Sequence, residues 1–227
     1  MQLFWTPASP FTRKVVIAAK ELGLWAEIKV RPTTWPLEWG YATVPFTPGL
    51  AEANPVARIP TLITDDGVAL GDSTLICQYL NDRAHRQAAG VTIIPADDSR
   101  WPMWSLYAIA DGLLEAQVAM RAEMLRPNAF RSDGFLQKQR DRIARCFDAC
   151  EQRAAELTGE LTGELTAGDD TPPNLAQITT AIACGYQDWR DWLWDFRPGR
   201  PNLSRWYDAF SQRPAMQETE PKDTPEA

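Results

Sequence analysis

The chain has 227 residues, of which 44% are hydrophobic and 23% are charged, and its formal net charge is −7. This length suffices for one large domain or two small ones with a buried core. The acidic balance argues against a nucleic-acid-binding surface, which is normally basic. No apolar stretch approaches the roughly 20 residues that span a bilayer, and the N-terminus lacks a signal-peptide pattern, so we expect a cytoplasmic protein.

The cysteines and the single histidine give little support to metal or protease chemistry. Four cysteines lie in helix-like segments without a CxxC pair, namely Cys77, Cys146, Cys150 and Cys184. Without a CxxC pair and with a single histidine, a zinc site is not expected. A serine or cysteine protease would need a histidine base, whereas His85 lies in a polar stretch. We therefore expect no metal site, and reduced cysteines packed in helix interiors.

The first segments of the chain alternate between strand and helix patterns. The run "QLFW" (2–5) predicts a short buried strand, and "AEIKV" (26–30) alternates as a second strand would. Between them, apolar residues recur at helical spacing before a stop at Gly23, namely Phe11, Val15, Ala18 and Leu22. Strand, helix and strand in this order indicate a βαβ unit with parallel strands.

Residues 31–55 are predicted to form a long loop. Its prolines oppose regular structure, apart from a short helix expected around Leu50–Ala53. Aromatic bulk is supplied by Trp35, Trp39, Tyr41 and Phe46. We consider two roles for this loop, a lid over a substrate and a cover for a dimer interface, and the sequence does not decide between them.

The stretch after this loop predicts a hairpin and then a helix. The runs "IPTLI" (59–63) and "VAL" (68–70) flank "TDDG", which is a strong turn signal. The segment "GDSTLICQYLNDR" (71–83) predicts a helix that is capped by Asp72 or Ser73. Its inward face is assigned to Leu75, Ile76, Tyr79 and Leu80. The resulting order, β-α-β, loop and β-β-α, is the thioredoxin-like arrangement.

From residue 97 onward the sequence shows only helical patterns. Helices are predicted over 100–125, 134–157, 172–189 and 202–216. The third of these begins with a capping box formed by Asn174 and Gln177. The repeat "ELTGELTGELTA" (156–167) would either extend the second helix or, as its glycines favour, form a solvated loop.

Four separated motifs stand out along the chain. They are "SPFTRKV" (9–15), "NPVARIPTL" (54–62), "GDSTLI" (71–76) and "NLAQITTAIA" (174–183). In this order and spacing they resemble the cytosolic glutathione S-transferases over nearly the whole chain. The Ser-Pro-Phe sequence is similar to that of the tau class and of a group of small bacterial transferases.

The resemblance implies the glutathione transferase fold, an α/β thioredoxin-like N-terminal domain followed by an all-α C-terminal domain. The N-terminal domain would cover residues 1–84 and bind glutathione. A linker over 85–95 would lead to the helical domain over 96–216. The polar, proline-containing segment 217–227 is predicted to be a disordered tail.

The resemblance implies that Ser9 activates the glutathione thiol. A serine at the N-cap, with Pro10 at the first helical position, lies where the helix dipole favours an anion. Its hydroxyl can donate a hydrogen bond to a thiolate, but it has no partner histidine with which to act as a base. The local sequence alone is satisfied by a serine that only caps the helix, and the other motifs favour the catalytic role.

The resemblance also implies a set of glutathione-binding residues, namely Phe11, Arg58, Ile59, Pro60, Asp72 and Ser73. A cis Ile59–Pro60 bond would let the main chain of Ile59 pair with the cysteinyl moiety like an added strand. Asp72 and Ser73 would hold the γ-glutamyl end, and Arg58 would bind the glycyl carboxylate. The local alternatives are a trans proline at a strand start, two competing helix caps and a solvated arginine.

The second substrate is expected beside the first part of the helix at 100–125 and the proline-rich loop. The candidate residues are Pro7, Phe11, Trp35, Trp39, Met103, Tyr107 and Asp111. An apolar wall with few polar groups suits a hydrophobic electrophile. Core packing is the alternative for Met103 and for most of the tryptophans, and pairing with a basic residue such as Arg13 is the alternative for Asp111.

The leading hypothesis is a glutathione S-transferase of the detoxification type, in which a stabilised thiolate attacks a small hydrophobic electrophile. Conjugation, isomerisation, reductive dehalogenation and aryl-ether cleavage are all compatible with it. The alternative is a non-catalytic glutathione-binding or protein-interaction member of the same fold, and the missing CxxC disfavours a redox protein. The resemblance further implies a homodimer, with neither nucleic acid nor membrane as a partner.

Overall fold

The computed structural model describes residues 1–33, 47–87, 90–158 and 172–223. The chain divides into two compact units. The first comprises Met1–Ile94 together with Thr219–Ala227, and the second comprises Pro95–Glu218. The domain limits expected from the sequence stay a prediction. Within the described residues, no helix is long and apolar enough to cross a membrane.

The first unit is built on a four-stranded sheet with the strand order β2-β1-β3-β4. The strands are β1 (Gln2–Trp5), β2 (Lys29–Pro32), β3 (Thr61–Ile63) and β4 (Ala69–Leu70). Strand β1 is parallel to β2 and antiparallel to β3, and β4 pairs antiparallel with β3. The central strands supply fully buried core side chains, Leu3, Phe4 and Leu62. The predicted βαβ unit and the predicted hairpin are both confirmed.

Strand β2 lies further along the chain than the alternating pattern at 26–30 predicts. Trp25–Glu27 form a short 3₁₀ turn, in which the N–H of Ile28 donates to the carbonyl of Trp25 at 3.1 Å. Pairing with β1 starts only at Lys29, whose N–H donates to the carbonyl of Met1 at 3.0 Å. The strand continues to Pro32, which is tolerated because β2 lies at the edge of the sheet.

Helix α1 (Pro10–Glu21) follows β1 and buries the predicted apolar face, including Val15 and Ala18. It stops before Gly23, whose φ of +71° is a left-handed conformation that favours glycine. One turn after its start, Arg13 Nε donates to Thr219 Oγ1 at 3.3 Å. The segment that returns from the second unit therefore contacts α1 directly.

Helices α2 (Leu50–Ala53) and α3 (Ser73–Arg86) complete the first unit, and α3 packs against α1. The buried stripe of α3 consists of Ser73, Ile76, Cys77, Leu80 and Ala84. Leu75 is 47% exposed, so its predicted inward orientation is wrong. Because successive helical residues are about 100° apart, the position before Ile76 lies outside a stripe centred on Ile76 and Leu80.

The second unit is helical. Its helices are α4 (Arg100–Met124), α5 (Asp133–Gln152), α6 (Ala154–Thr158), α7 (Leu175–Trp189), α8 (Pro201–Phe210) and α9 (Pro214–Gln217). Helix α4 packs against α5 and α7. Gln117 on α4 donates from Nε2 to the carbonyl of Ala183 at 3.0 Å and to Gln187 Oε1 at 2.8 Å. These buried hydrogen bonds join α4 to α7.

The predicted capping box of α7 is confirmed. Asn174 Oδ1 accepts from the N–H of Gln177 at 3.0 Å, and Gln177 Oε1 accepts from the N–H of Asn174 at 2.7 Å. Gln177 Nε2 also donates to the carbonyl of Leu157 at 2.7 Å. The same glutamine that closes the cap therefore ties α7 to α6.

Two predicted helices are each divided in two. The helix predicted over 134–157 is interrupted at Arg153, between α5 and α6. The helix predicted over 202–216 is divided because Arg213, which precedes a proline, is extended with φ −61° and ψ 138°. Of the repeat over 156–167, only Glu156–Thr158 fall in the described residues, at the end of α6.

A group of charged side chains joins α3 to the loops of the first unit. Arg83 on α3 contacts Glu27 Oε2 at 2.6 Å and Asp65 Oδ2 at 2.9 Å. The hydrogen bond from Arg83 holds the pKa of Glu27 below its ordinary value. The pKa of Glu27 is lower in the folded chain than in the unfolded chain, so the ion pair with Arg83 stabilises the fold at pH values above the unfolded pKa. This stabilisation is lost as the pH falls through the folded pKa.

Replacing Glu27 with glutamine is therefore expected to lower the free energy of unfolding by less than about 1 kcal/mol near pH 7, since the pair is partly exposed. The difference from the unchanged protein should shrink as the pH falls below the ordinary glutamate pKa of about 4.3, and it should vanish only below the lowered pKa that Glu27 has in the folded chain. Urea unfolding across this pH range measures both effects. Glu52→Gln is the matched control, because Glu52 is an exposed glutamate on α2. A Glu27→Gln difference that grows towards acid pH would contradict the expectation.

Candidate functional site

The start of α1 carries Ser9, and the structure places this serine at the N-cap with Pro10 at the first helical position. Ser9 Oγ accepts a hydrogen bond from the N–H of Thr12 at 3.2 Å. A serine hydroxyl has one proton to donate in addition to its two lone pairs. Since Oγ acts only as an acceptor in this bond, the proton is available to an anion in front of the helix. Capping and donation are thus compatible at this position.

The segment before β3 presents main-chain groups beside the sheet. The Ile59–Pro60 peptide bond is cis, as the sequence resemblance implies. Pro60 is buried and Ile59 is half-buried, one residue before β3 begins. Outside the helices and strands, no main-chain hydrogen bond between described residues involves the N–H or C=O of Ile59. These two groups can therefore pair with an extended peptide.

Arg58 lies immediately before this peptide bond. Its carbonyl accepts from Thr61 Oγ1 at 2.7 Å and from Asn54 Nδ2 at 3.4 Å, and these two hydrogen bonds fix the position of the main chain. The guanidinium is exposed, and no ion pair or hydrogen bond joins it to another residue of the described ranges. A held main chain with an exposed cationic side chain suits the binding of a carboxylate.

The start of α3 resolves the choice between the two predicted caps in favour of Asp72. Asp72 Oδ1 accepts from the N–H of Thr74 at 2.7 Å and from the N–H of Leu75 at 3.1 Å. Both capping bonds use the same oxygen, so Oδ2 has no partner among the described residues. The carboxylate can therefore cap α3 through one oxygen and accept from a cationic group through the other.

Ser73 is the first residue of α3 and is only 6% exposed. Within the described ranges, neither its hydroxyl nor its N–H donates to another residue. The first N–H groups of a helix have no intrahelical acceptor, and they favour an anion. Ser73 therefore offers two donors to a carboxylate, beside the acidic side chain of Asp72.

One buried side chain connects these segments, and it is not among the site residues predicted from the sequence. Asn54 follows α2 and lies against Gly71, where an added Cβ would be 2.8 Å from Asn54 Nδ2. Asn54 Nδ2 also donates to Thr61 Oγ1 at 2.9 Å. The Asn-Pro pair in the motif at 54–62 is a recognisable turn signal, but its contact with Gly71 has no local signature.

The residues predicted to bind the electrophile are placed as follows. Pro7 and Phe11 are half-buried in the first unit, and Lys14 Nζ lies 5.6 Å from the centre of the Phe11 ring. On α4, Met103 and Tyr107 are buried and Asp111 is half-buried. Trp35 and Trp39 lie outside the described residues. Burial of Met103 and Tyr107 is what core packing also expects, so the electrophile-binding role stays a prediction.

The cysteines of the second unit are poor nucleophiles. Burial raises the pKa of Cys150 to about 12, and it raises the pKa of Cys184 well above its ordinary value. The pKa of Cys146 is also raised by burial. At neutral pH these side chains are thiols rather than reactive thiolates. Among the described residues, no group of three or more histidines, cysteines or carboxylates could hold a metal ion.

Comparison with known proteins gives consistent matches. Residues 8–83 match the family model for the glutathione S-transferase N-terminal domain. The chain is 30% identical to the uncharacterized GST-like protein YibF of Escherichia coli K12, over 97% of this chain and 98% of that protein.

Solved structures resemble the chain over nearly its full length. A glutathione transferase family member from Pseudomonas fluorescens Pf-5, crystallised with bound glutathione, is 32% identical with a TM-score of 0.83, and the match covers 98% of this chain and 99% of the other. A glutathione S-transferase from Methylobacillus flagellatus KT, also with bound glutathione, is 28% identical with a TM-score of 0.74, covering 97% and 99%. The likeness therefore extends beyond the thioredoxin-like unit to the helical one.

Proposed function

The chain belongs to the glutathione S-transferase family, and on this premise we propose that it binds glutathione in its first unit and uses the glutathione thiolate as a nucleophile. The observation that carries the proposal is the geometry of Ser9, which caps α1 as an acceptor and keeps its proton for an anion. A helix N-terminus with a free hydroxyl donor is suited to a developing thiolate.

Glutathione would lie along the segments that surround the start of α1. The main-chain groups of Ile59 would pair with the cysteinyl residue as an added strand does. At the γ-glutamyl end, Asp72 Oδ2 would accept from the ammonium group and Ser73 would donate to the α-carboxylate. Arg58 would bind the glycyl carboxylate. In each contact, the group that would bind glutathione has no hydrogen-bond or ion-pair partner among the described residues.

The reaction follows from the thiolate. The thiol loses its proton to solvent, the sulfur forms a bond to an electrophilic carbon, and the leaving group departs with the electron pair of its own bond. Ser9 lowers the thiol pKa by donating to the sulfur anion rather than by removing the proton. The single histidine does not supply a base here, because His85 is about 18 Å along α3 from Ser73.

The finer features of the proposal follow the family resemblance. They comprise a serine-type, tau-like or bacterial transferase, detoxification of a small hydrophobic electrophile, a homodimer and a cytoplasmic location. Isomerisation, dehalogenation and ether cleavage use the same thiolate and belong to the same proposal. A disulfide-exchange role is disfavoured, because Ser9 stands at the start of α1, where that chemistry would need a nucleophilic cysteine.

The proposal predicts that the purified protein binds glutathione and conjugates it to an activated chlorinated aromatic. Isothermal titration measures binding, and the absorbance of the conjugate measures turnover. An analogue of glutathione that lacks the γ-glutamyl ammonium group is the control ligand and should bind more weakly. Absence of glutathione binding would overturn the proposal, whereas binding without turnover of a panel of electrophiles would favour the non-catalytic alternative.

A further inference from the structure

The side chain of Asn54, which is only 6% exposed, forms hydrogen bonds with the segment between α2 and β3. Its Oδ1 accepts from the N–H of Val56 at 3.1 Å, and its Nδ2 donates to Thr61 Oγ1 at 2.9 Å and to the carbonyl of Arg58 at 3.4 Å. Both amide hydrogens are therefore used within the protein. The side chain determines the path of the main chain from Val56 to Arg58.

This path includes a left-handed residue. Ala57 has a φ of +51°, which a residue with a side chain rarely adopts. The N–H of Ala57 donates to the carbonyl of Asn54 at 2.7 Å, so the unusual conformation is held by the same residue. The conformation directs the chain into Arg58 and Ile59.

The Asn54 amide also lies against the residue that precedes α3. A Cβ at Gly71 would lie 2.8 Å from Asn54 Nδ2 and 3.0 Å from Asn54 Cγ. Gly71 has no positive φ, so any residue could adopt its backbone conformation, and it is the amide that excludes a side chain. Gly71 immediately precedes Asp72 and Ser73.

We propose that Asn54 is a positioning residue, whose amide sets the distance between the main chain at Arg58–Ile59 and the N-terminus of α3 at Asp72–Ser73. This inference rests on the proposed function, in which these two segments bind opposite parts of glutathione. Asn54 acts through these segments and does not itself contact the ligand. The amide makes three hydrogen bonds to the segment between α2 and β3 and lies in close contact with Gly71, so it acts as a spacer between the two segments.

The test compares single and double variants by glutathione titration. Asn54→Ala should raise the dissociation constant for glutathione about tenfold, which corresponds to about 1.4 kcal/mol. Gly71→Ala should raise it similarly, because the new Cβ pushes the amide away. In the double variant Asn54→Ala/Gly71→Ala the new Cβ has room, so its affinity should be no lower than that of Asn54→Ala. Additive losses would overturn the proposed coupling.

Two controls separate positioning from general loss of stability. Asn81 on α3 accepts through Oδ1 from the N–H groups of Ile93 and Ile94 at 2.9 and 3.2 Å, so Asn81→Ala also removes an asparagine that holds a distant main-chain segment of the first unit. It should lower the melting temperature without changing glutathione affinity. Gly112→Ala adds a Cβ inside α4 that meets no atom within 4 Å, so it should leave glutathione affinity unchanged and raise the melting temperature, because alanine favours a helix interior over glycine. Loss of affinity in Asn81→Ala equal to that in Asn54→Ala would overturn the proposal.

Two further measurements test the proposal if Asn54→Ala does not fold or if the unchanged protein does not bind glutathione. If Asn54→Ala does not fold, Gly71→Ala carries the test, and unchanged glutathione affinity in that variant would overturn the proposal. If the unchanged protein does not bind glutathione, the proposed function fails, and amide hydrogen exchange tests the spacer alone. Asn54→Ala should then speed exchange at both 56–59 and 72–75, and exchange that changes at only one segment would overturn it.

Discussion

Replacing Ser9 with alanine is expected to raise the thiol pKa of bound glutathione towards the value of about 8.5 for a free thiol, and to lower kcat/KM about a hundredfold. The hydroxyl is the donor that the start of α1 presents beside the helix dipole, and alanine has no donor. The thiolate absorbance of the complex, titrated against pH, measures the pKa directly. Steady-state rates with a chlorinated aromatic measure the loss of activity.

The same substitution also removes a helix cap, and two further variants separate this effect. Ser9→Gly lacks the hydroxyl but retains most of the stability of a capped helix, since glycine at the N-cap costs only a few tenths of a kcal/mol. It should lose activity as Ser9→Ala does. Ser132→Ala removes an equivalent cap from α5, where Ser132 Oγ accepts from the N–H of Phe135 at 3.2 Å, and should keep full activity. A thiol pKa that stays the same in both Ser9 variants would remove Ser9 from the catalytic role.

Replacing Asp72 with asparagine is expected to raise the dissociation constant for glutathione about tenfold or more, with little change in stability. Asparagine caps a helix as well as aspartate does, so the bonds to the N–H groups of Thr74 and Leu75 are retained. The negative charge that faces the γ-glutamyl ammonium group is lost, and charge-assisted hydrogen bonds are the strong ones. Isothermal titration and thermal unfolding of the same samples separate the two effects.

Asp72→Ala provides the comparison for that experiment. It removes both the charge and the cap, so it should lose glutathione affinity and in addition lower the free energy of unfolding by about 1 kcal/mol. If Asp72→Asn binds glutathione as tightly as the unchanged protein, the carboxylate serves only as a cap and the proposed ammonium contact is wrong.

The features that the sequence predicted well are those determined by neighbouring residues. The capping box needs only Asn174 and Gln177, three residues apart, and both of its hydrogen bonds form. The stop of α1 needs only a glycine that accepts a left-handed conformation, and Gly23 supplies it. The predicted parallel pairing of β1 and β2 followed from strand, helix and strand in sequence.

The features that the sequence did not predict depend on distant contacts or on the effect of a proline on the residue before it. Pairing with β1 determines where β2 starts, so the alternation at 26–30 placed it too early. Pro214 divides the last predicted helix, because a residue before proline avoids the helical conformation. The contact between Asn54 and Gly71 joins positions 17 residues apart, and no local pattern in the sequence reports it.

The return of the chain to its first unit has a consequence for synthesis. Thr219 contacts Arg13 of α1, and the segment from Thr219 onward belongs to the first unit, so the helical unit is inserted between two parts of that unit. Protein chains emerge from the ribosome starting at the N-terminus, and domains tend to fold in that order. Here the sheet and α1 can form early, but the segment whose Thr219 bonds to Arg13 of α1 is translated only after the entire helical unit. The unit that begins first is therefore completed last.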